Sequence, residues 1–550
     1  MNKKLPLISL FIMSIVSIFY WVLKPKEELY EAKWNAPDTT LAITIDGEIS
    51  TSFPTTNAYG GTVTCTTGTG SISWNGTKWV LTTSGITKGS TKCNIIFKTQ
   101  TFAQTILTNN KVSAPITTPG VLVSAHILDD VQSETESVDS DEQAYYITYG
   151  TGWTANGTKF NLTGASVTSD TYANSYSSLV GKYLPSSSFK GSGSSTAGTM
   201  KTTTNLSCVY YVVSATQVSF VYKPLCSNIN KTEALIASTE DDYGTSYYFR
   251  GAVKNNYVQF ANKCWRIVRI VGDGSVKLLL HNDNINGVNN PCSSVNNDKQ
   301  AAFARYSGTT YYGKFAAIPR GDDNALVGFM FGTPSKSTSY EEAHTNNRKS
   351  NILVMLETWY KNNLISYESK LADTIWCNDK SVVTDTSFNP YDIGVESNFG
   401  YGRNRNYYNS IKRLVSSDGS DGGTGPSLIC PNDNNGGKLS KFTVSDTTNG
   451  NGDLTYKIGL LTVDEAVFAG FTVRGFNCSL YLHENAYSNY ATMTPRMYGG
   501  GYSSVWHISS DYLFGYDVSQ NTSLRPAISL VPSTSISGGS GTSEDPYVVN

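Results

Sequence analysis

Charge is the first thing that this sequence has little of. Only 16 % of its 550 residues are Asp, Glu, Lys or Arg, and 42 basic against 44 acidic side chains leave a formal net charge of −2. A nucleic-acid-binding protein needs a basic face to neutralise phosphates, so we expect no nucleic-acid partner. Disorder driven by charge repulsion is also excluded, because 12 % of the residues are aromatic.

Sequence motifs of known chemistry are missing as well. No two of the five histidines are four residues apart, and no HExxH, GxSxG or GxxxxGK pattern occurs. A glycoside hydrolase needs two carboxylates about 5–9.5 Å apart across a cleft, whereas Asp464 and Glu465 are adjacent at the start of a helix. We therefore expect no catalytic residue, no metal site and no cofactor.

The nine cysteines include no CxxC pair, which argues against a zinc ribbon or a thioredoxin-like motif. They are spread along the chain, as structural disulfides in an oxidising compartment are, with buried free thiols as the alternative. We predict four bonds, which leave Cys478 free: Cys65–Cys93, Cys208–Cys226, Cys264–Cys292 and Cys377–Cys430.

Long hydrophobic runs are absent except near the N-terminus, where residues 5–23 (LPLISLFIMSIVSIFYWVL) carry no charge. Nineteen residues at ~1.5 Å each give a helix of about 28 Å, close to the ~30 Å hydrocarbon core of a membrane. The run lacks a small-residue cleavage site and ends in Tyr20 and Trp21, and aromatic residues are typical of the membrane interface. We interpret residues 1–26 as a signal anchor of a single-pass cell-membrane protein whose bulk is extracellular, with a cleaved signal peptide as the alternative.

Two small β modules are expected after the anchor. Residues 38–112 have the pattern of an Ig-like β-sandwich, in which Asn75-Gly76 lies between strand residues and predicts a type I′ hairpin turn. The sequence NGTKWVLT that begins at Asn75 recurs as NGTKFNLT at residues 156–163, which favours a second β module over 144–225. The stretch 113–143 is rich in Ser and acidic residues towards its end and is interpreted as a linker.

Residues 226–550 have a different texture, typical of an α+β head. Consecutive strands are predicted around a Gly-Asp-Gly turn at 272–274. Apolar residues at three- and four-residue spacing predict a long helix over 351–372. Thr462-Val-Asp-Glu465 has the form of a capping box and predicts a short helix that ends at Gly470.

Several motifs of the head carry a resemblance. They occur in the order YFRG (from Tyr248), NNYVQF, KCWRIVRI, LADTIWCNDK, GLLTVDEAVFAG, LRPAISL and GGSGTSEDPYVV. This order resembles a family of uncharacterised modular surface proteins of low-GC Gram-positive and mollicute-like gut bacteria. The turn-rich stretch before LRPAISL is more loosely similar to C-type-lectin-like and formylglycine-enzyme-like folds. Where the relatives have a Trp-rich Ser-Pro turn, this chain has YATMTPRMY from Tyr490.

The resemblance and the residue patterns together predict the fold class. We expect a multidomain, mainly β protein with an N-terminal transmembrane helix, two small β-sandwich-like modules and an α+β C-type-lectin-like head.

A binding face is predicted within residues 488–524, which are crowded with Tyr, Gly and Ser. Gly-rich turns cannot build a core, so the aromatic side chains beside them either fold back onto the head or point outward. In C-type-lectin-like heads the corresponding stretch forms the loops and strands where ligands bind. We predict that the ligand contacts come from seven residues: Arg496, Tyr498, Tyr502, Trp506, His507, Tyr512 and Tyr516. A core position is the alternative for Trp506. Arg525 is expected to have a structural role.

The expected function is that of a membrane-anchored surface protein whose head binds an extracellular protein or glycan. Loops of Tyr, Ser, Gly and Asn make adaptable contacts at low entropic cost, as in antibody paratopes. The alternatives are an extracellular enzyme of the formylglycine or glycan-acting class and a purely structural envelope protein. A deep cleft with converging titratable groups would favour an enzyme, and an aromatic rim would favour a binding protein.

Protease treatment of intact cells tests the predicted topology. With residues 5–23 in the membrane, residues 27–550 lie outside and the first four residues inside. Shaving should therefore remove almost the whole chain, as seen on an immunoblot. A protected band of nearly full length would contradict the anchor.

Overall fold

The computed structural model describes residues 40–87, 90–110, 234–251, 253–296, 312–316, 322–332, 337–419, 422–431, 440–473, 480–483, 489–509 and 512–549. Between residues 145 and 225 it describes only the backbone of six further strands. Strands make up 36 % and helices 14 % of the protein, which confirms a mainly β protein with several sheets. Within these stretches no helix combines the length and the apolar character that a membrane span needs. The predicted anchor at residues 5–23 lies outside them.

The first module consists of two packed layers. A four-stranded sheet in the order β2-β1-β6-β3 lies against a β4–β5 hairpin. Leu41, Ile95 and Phe97 point to one face of the sheet and pack with Trp79 and Leu81 of the hairpin, as the two-residue period of a strand requires. The strands are β1 (Thr40–Ile45), β2 (Glu48–Ser50), β3 (Tyr59–Cys65), β4 (Thr69–Trp74), β5 (Trp79–Ser84) and β6 (Lys92–Thr99).

The turn between β4 and β5 differs from the predicted type I′ turn. Trp74 pairs with Trp79, so the connection has four residues rather than two. Gly76 has a φ of 98°, but Asn75 does not enter the left-handed region. The Asn75 side chain instead accepts a hydrogen bond from the Thr77 backbone N–H at 3.1 Å. This local bond of the side chain replaces the backbone geometry that Asn-Gly predicts.

Helix α1 (Phe102–Asn109) follows β6 and was not predicted. Its start is a capping box: the Thr101 hydroxyl accepts from the Gln104 backbone N–H at 3.3 Å, and the Gln104 side chain accepts from the Thr101 N–H at 3.0 Å. The sequence pattern Thr-x-x-Gln before two apolar residues could have predicted this helix start.

Helix α1 packs the first module against the head. Phe102 and Ile106 are fully buried in the same apolar cluster as the core of the head. The Phe102 ring lies 5.3 Å from the Tyr547 ring, and the Phe102 N–H donates to the Thr534 oxygen at 2.6 Å. The first module is therefore in direct contact with the closing strands of the head.

The described backbone between residues 145 and 225 is β-structure. Four of its strands form an antiparallel sheet in the order β10-β11-β12-β7, and β8 pairs with β9. The predicted linker at 113–143 lies outside the described residues. The strands are β7 (Tyr145–Thr148), β8 (Asn161–Leu162), β9 (Ala165–Ser166), β10 (Tyr183–Pro185), β11 (Val209–Ala215) and β12 (Ser219–Leu225).

The head has many short strands. Five of them open it: β13 (Ala234–Asp241), β14 (Gly244–Gly251), β15 (Tyr257–Phe260), β16 (Lys263–Ile270) and β17 (Val276–Asn282). The others follow along the chain: β18 (Tyr312–Gly313), β19 (Met330–Phe331), β20 (Arg348–Lys349), β21 (Trp376–Cys377), β22 (Asn406–Tyr407), β23 (Lys441–Phe442), β24 (Tyr490–Gly499), β25 (Tyr502–Ile508), β26 (Leu513–Asp517), β27 (Thr522–Ser523), β28 (Ala527–Leu530), β29 (Ile536–Gly538) and β30 (Tyr547–Val549).

The largest sheet of the head has eight strands. Its order is β13-β14-β16-β15-β30-β29, and β17 pairs with both β16 and β28. The Gly-Asp-Gly turn at 272–274 joins β16 to β17, as predicted. Strand β30 pairs in parallel with β15. Strand β16 is buried along almost its whole length, including the charged side chains of Arg266 and Arg269.

Four short helices and two 3₁₀ turns complete the described part of the head: α2 (Tyr340–His344), α3 (Asn351–Asn363), α4 (Asn409–Leu414), α5 (Val463–Phe468), Asn324–Leu326 and Ile365–Lys370. The predicted helix over 351–372 is thus α3 followed by a 3₁₀ turn. Leu364, with φ −127° and ψ −5°, interrupts the helix between them. Trp359 of α3 lies 6.3 Å from Trp265 of β16, so α3 covers the large sheet.

Three of the predicted disulfides are present, namely Cys65–Cys93, Cys264–Cys292 and Cys377–Cys430. Cys208, Cys226 and Cys478 lie outside the described residues. The three bonds suit the oxidising compartment that the sequence predicts.

Replacing Phe102 tests the contact between the first module and the head. We expect Phe102→Ala to lower the free energy of unfolding by about 3–5 kcal/mol, because the side chain is fully buried. Since its apolar cluster spans both parts, the first module and the head should lose stability together in urea unfolding followed by circular dichroism.

The matched control is Ile49→Ala in the same module, where the side chain is 86 % exposed. It should change the free energy of unfolding by less than about 0.5 kcal/mol. Equal effects of the two variants would contradict the packing.

Candidate functional site

The predicted binding segment supplies four strands, β24 to β27, of a six-stranded sheet. Its order is β18-β27-β24-β25-β26, and β22 pairs with β24. A two-residue turn, Gly500-Gly501, joins β24 to β25 with φ values of 63° and 85°. Glycine adopts such values without the steric penalty that a side chain brings. Strand β26 is the terminal strand of this order.

Three of the seven predicted contact residues lie in the core. The exposed fractions are 1 % for Tyr498, 0 % for Trp506 and 2 % for His507. Trp506 Nε1 donates to Ser410 Oγ at 2.9 Å, and the Tyr498 hydroxyl donates to the Asp322 backbone oxygen at 3.3 Å. The prediction of ligand contacts is wrong for these three, because β24 and β25 are central strands; Trp506 takes its alternative position in the core.

Burial also fixes the charge of His507. Loss of solvent lowers the pKa of its imidazole to about 3, so the ring is neutral over the physiological range. The ring lies 4.6 Å from Tyr516 and 5.5 Å from Phe514. His507 therefore supports the aromatic side chains of β26.

Arg496 and Tyr502 are half-buried. The guanidinium carbon of Arg496 lies 4.7 Å from the Tyr391 ring centroid and 5.0 Å from that of Trp506, which is cation–π geometry. Tyr502 lies at the start of β25, beside the glycine turn. Each keeps part of its side chain accessible to solvent.

Three aromatic side chains follow one another at every second position: Tyr512 directly before β26, and Phe514 and Tyr516 on it. We name them the aromatic row. Their ring centroids are 5.6 and 6.1 Å apart. Tyr512 is 43 % exposed, and the other two are half-buried. Phe514 was not among the predicted contacts, although aromatic residues at every second position of a strand lie on one face.

Arg525 has the predicted structural role, with only 1 % of the residue exposed. Its guanidinium donates hydrogen bonds to the Leu280 backbone oxygen at 2.5 Å, to the Leu482 backbone oxygen and to His281 Nδ1 at 3.1 Å. The fork of donors thus joins the segment before β28 to β17.

A second candidate site opens at the start of α5, where the predicted capping box between Thr462 and Glu465 is present. The cavity itself is small, about 30 Å³, which is room for one or two water molecules. We name it the charged pocket after the ionisable side chains of its lining: Asp241, Asp242, Asp379, Asp464, Glu465, Arg269, Lys277 and Arg413.

Glu465 links the basic side chains on one side of the charged pocket. Its Oε1 accepts hydrogen bonds from Arg269 Nε at 3.0 Å and from Lys277 Nζ at 2.6 Å. Its Oε2 accepts from the Thr462 N–H at 3.0 Å. Arg269 also donates through Nη1 to Asp241. All four ionised side chains are at least nine-tenths buried, so each depends on its partners for the solvation that water no longer supplies.

Arg413 links the acidic side chains on the other side of the charged pocket. Its Nε and Nη2 donate to the two carboxylate oxygens of Asp464, both at 2.8 Å, and its Nη1 donates to Asp379 at 2.9 Å. The bidentate pair fixes the angle between the two side chains as well as their separation. Because Arg413 lies on α4 and Asp464 on α5, the pair holds the two short helices together.

The ion pairs fix the protonation of this site. Burial alone would raise the pKa of Glu465, but Lys277 and Arg269 beside it lower the pKa to about 2. A general acid must carry a proton at the working pH, so Glu465 does not suit that role.

The Cys377–Cys430 disulfide fixes the rim of the charged pocket. It links β21 to the segment 427–431, which lines the mouth. The backbone N–H of Ser427 donates to Asp464 at 3.0 Å. The rim is therefore held both covalently and by the charged lining itself.

In the sequence, Asp464 and Glu465 are recognisable only as adjacent acids at the start of a helix. In a helix, successive side chains point about 100° apart, so the two carboxylates reach different elements: Arg413 on α4 and Arg269 on β16. The position of Arg269 and Lys277 within runs of mostly apolar residues could have predicted these ion pairs, because a buried cation needs a carboxylate partner.

The described residues hold no group of three or more His, Cys, Asp or Glu side chains that could bind a metal ion. Comparison with protein-family models, with curated proteins and with solved structures gives no match. The function is therefore argued from the aromatic row and the charged pocket.

Stability against pH tests the role of Glu465. Its pKa is lowered from 4.5 to about 2 in the folded protein. The carboxylate therefore contributes stability that is fully present above about pH 4.5 and is lost as the pH falls towards 2, on the order of 3 kcal/mol. Glu465→Gln should remove this part of the pH dependence and lower the free energy of unfolding at pH 7 by about 3–5 kcal/mol, as measured by urea unfolding at each pH.

Glu396→Gln is the matched control. Its side chain is 47 % exposed and lies 3.7 Å from Arg405, so we expect a change below about 1 kcal/mol. Parallel pH curves for Glu465→Gln and the wild-type chain would show that the carboxylate does not have this role.

Proposed function

We propose that this chain is a single-pass cell-membrane protein, anchored through residues 5–23, whose extracellular head at residues 226–550 binds a protein or glycan ligand. The observation that carries the proposal is the aromatic row at the end of the six-stranded sheet. The three disulfides of the described residues support an extracellular location.

The aromatic row has the features of a contact surface. Two of its three members are tyrosines, which combine an apolar ring with a hydroxyl that can donate or accept a hydrogen bond. Their side chains lose little conformational entropy on binding, because only two torsions are fixed. The neutral His507 ring below and the strand pairing of β26 to β25 hold the row in place before a ligand arrives.

The place of the aromatic row agrees with the C-type-lectin-like architecture that we propose for the head. Tyr512 and Tyr516 lie in the stretch between α5 and β28, where the resemblance implies the ligand-binding loops and strands. Arg496 and Tyr502 from the same stretch are half-buried and are proposed as further contacts. Tyr498, Trp506 and His507 are not part of this face.

The enzyme hypothesis is less well supported. The charged pocket does bring titratable groups together, but they form ion pairs, and Glu465 has a pKa of about 2. Such a site lacks the proton-carrying acid that a glycoside hydrolase needs beside its ionised carboxylate. The charged side chains of the pocket instead hold the surrounding strands and helices together.

Alanine substitutions in the aromatic row test the proposal. We expect Phe514→Ala and Tyr516→Ala each to weaken binding about tenfold, because an aromatic contact of this kind contributes on the order of 1.4 kcal/mol. The measurement is the binding of the purified chain to a glycan array and to a panel of extracellular proteins, followed by titration of each positive spot.

Tyr312→Ala is the matched control. Tyr312 is a half-buried tyrosine on β18, at the opposite end of the same sheet, and its loss should leave the affinity unchanged. Binding that survives both substitutions in the aromatic row would refute this face as the ligand site. Loss of binding in the control as well would point to a general effect on the sheet.

A further inference from the structure

Strand β26 has one edge whose backbone groups are not paired. At the end of the strand, the Val518 N–H donates to the Ser503 oxygen of β25 at 3.2 Å. In an antiparallel ladder the polar backbone groups of successive residues point to opposite sides, so those of Asp517 and Gly515 point away from β25. No described residue pairs with the Gly515 N–H, the Gly515 carbonyl or the Asp517 N–H on that side.

The usual means of blocking an edge strand are missing from β26. Proteins protect such edges with charged side chains, proline or a β-bulge. The sequence of β26 is LFGYD, and its register with β25 is regular. Its one charged residue, Asp517, accepts a hydrogen bond from the Ser519 N–H at 2.8 Å and so belongs to the turn that follows. The edge is therefore open to a further strand.

Arg496 lies on one face of this edge and lacks an anionic partner. Its guanidinium reaches across Trp506 to Gly515, where a Cβ would lie 2.6 Å from Nη1 and 2.8 Å from Nε. Its Nε is buried and has no acceptor among the described residues. Nη1 donates to the Met497 sulfur at 3.3 Å, which is a weak acceptor. None of the described carboxylates lies within ion-pair distance. Arg496 therefore offers positive charge to a group that approaches Gly515.

The geometry of a sheet defines what such a group would be. A residue paired opposite Gly515 on an added strand has its Cβ about 5 Å from the Cβ position of Gly515, on the Arg496 face. A carboxylate on that residue can reach the guanidinium. The two neighbouring residues point to the other face, where they meet Phe514 and Tyr516. Aromatic rings pair favourably with β-branched side chains across strands, so the edge favours the pattern apolar–acidic–apolar.

The aromatic row is less well suited to a sugar. The ring planes of Tyr512 and Phe514 differ by 53°, and those of Phe514 and Tyr516 by 80°. The three rings therefore share no common plane on which a chain of sugar rings could stack. Aliphatic side chains do fit between tilted rings, because their contacts need no fixed angle. These angles favour a protein segment over a glycan.

We propose that β26 binds an extended segment of a partner protein, which adds to the six-stranded sheet as its next strand and has an acidic residue between two apolar ones. The acidic residue exchanges backbone hydrogen bonds with Gly515, and its carboxylate accepts from Arg496. The apolar neighbours contact Phe514 and Tyr516. Backbone pairing supplies affinity in such complexes, and the alternate side chains supply specificity. The inference rests on the binding function proposed above and narrows its ligand to a protein.

Three fluorescein-labelled peptides test the proposal in fluorescence-polarisation titrations of the purified full-length chain. The first is Ser-Thr-Ile-Glu-Val-Thr-Ser, the second has Gln in place of Glu, and the third has an N-methyl group on the Glu nitrogen. We expect the Glu peptide to bind and the Gln peptide to bind at least about tenfold more weakly, because a charge-assisted hydrogen bond is lost. The N-methyl peptide lacks the N–H that pairs with Gly515 and should not bind measurably. The proposal is wrong if the Glu peptide does not bind, or if all three bind equally.

Two substitutions in the chain locate the peptide. Arg496→Met keeps an apolar stem over Trp506 but removes the charge, so the Glu and Gln peptides should bind it equally. Asp517→Pro removes an outward N–H from an edge strand, where proline is tolerated, and should weaken both peptides at least about tenfold. The matched control is Arg403→Met, whose side chain is 67 % exposed and pairs with Asp322; it should bind both peptides as the wild-type chain does. An unchanged preference for Glu over Gln in Arg496→Met would overturn the assignment.

Further measurements separate this inference from the function on which it rests. Circular dichroism shows whether Asp517→Pro folds, and if it does not, the N-methyl peptide decides on the wild-type chain. A glycan that needs Phe514 and Tyr516 but binds equally well to Asp517→Pro would keep the aromatic row as a ligand site and refute strand addition. A dimer in sedimentation velocity that Asp517→Pro abolishes would assign the edge to a second copy of the chain and would also overturn the proposal.

Discussion

The head depends on the pairing of two buried cations with one carboxylate. Arg269 and Lys277 lie on β16 and β17, two strands that are buried along almost their whole length. Neither can leave water without a partner, and Glu465 serves both. A helix of six residues has little stability of its own, so α5 holds its position through this pairing and through its apolar face. The neighbouring Asp464 then positions α4 through Arg413, and the charged pocket is the space between these pairs.

The features of the fold that depend only on residues close together in the sequence could be predicted. The capping box at Thr462, the turn at 272–274 and the start of α3 each follow from a few side chains and their local backbone preferences. The docking of α1 on the head was not, because it depends on Phe102 meeting Tyr547, more than 400 residues later. Local pattern carries no information about such a contact. The Asn75-Gly76 turn shows the converse, since a side-chain hydrogen bond outweighed a strong local preference.

The candidate sites were predictable only in part, for a related reason. The density of Tyr, Gly and Ser indicates an aromatic surface, but the strand order decides which rings reach it. Trp506 lies on central strand β25 and is buried, whereas Tyr516 lies on terminal strand β26 and is half-exposed. The charged pocket has no local motif at all. Its residues come from β13, β16, β17, α4 and α5, and only the buried arginine and lysine indicated that acidic partners had to lie nearby.

The parallel pairing of β15 with β30 governs the order in which the protein is assembled. Val258 and Tyr547 are neighbours in the sheet, yet almost 290 residues separate them along the chain. Closing so long a loop is slow, and β15 keeps a bare edge until synthesis has passed Tyr547. The burial surface for Phe102 is incomplete over the same interval. A nascent chain therefore exposes an unpaired strand and an apolar helix face together, and this interval is when chaperones and proteases can act on it.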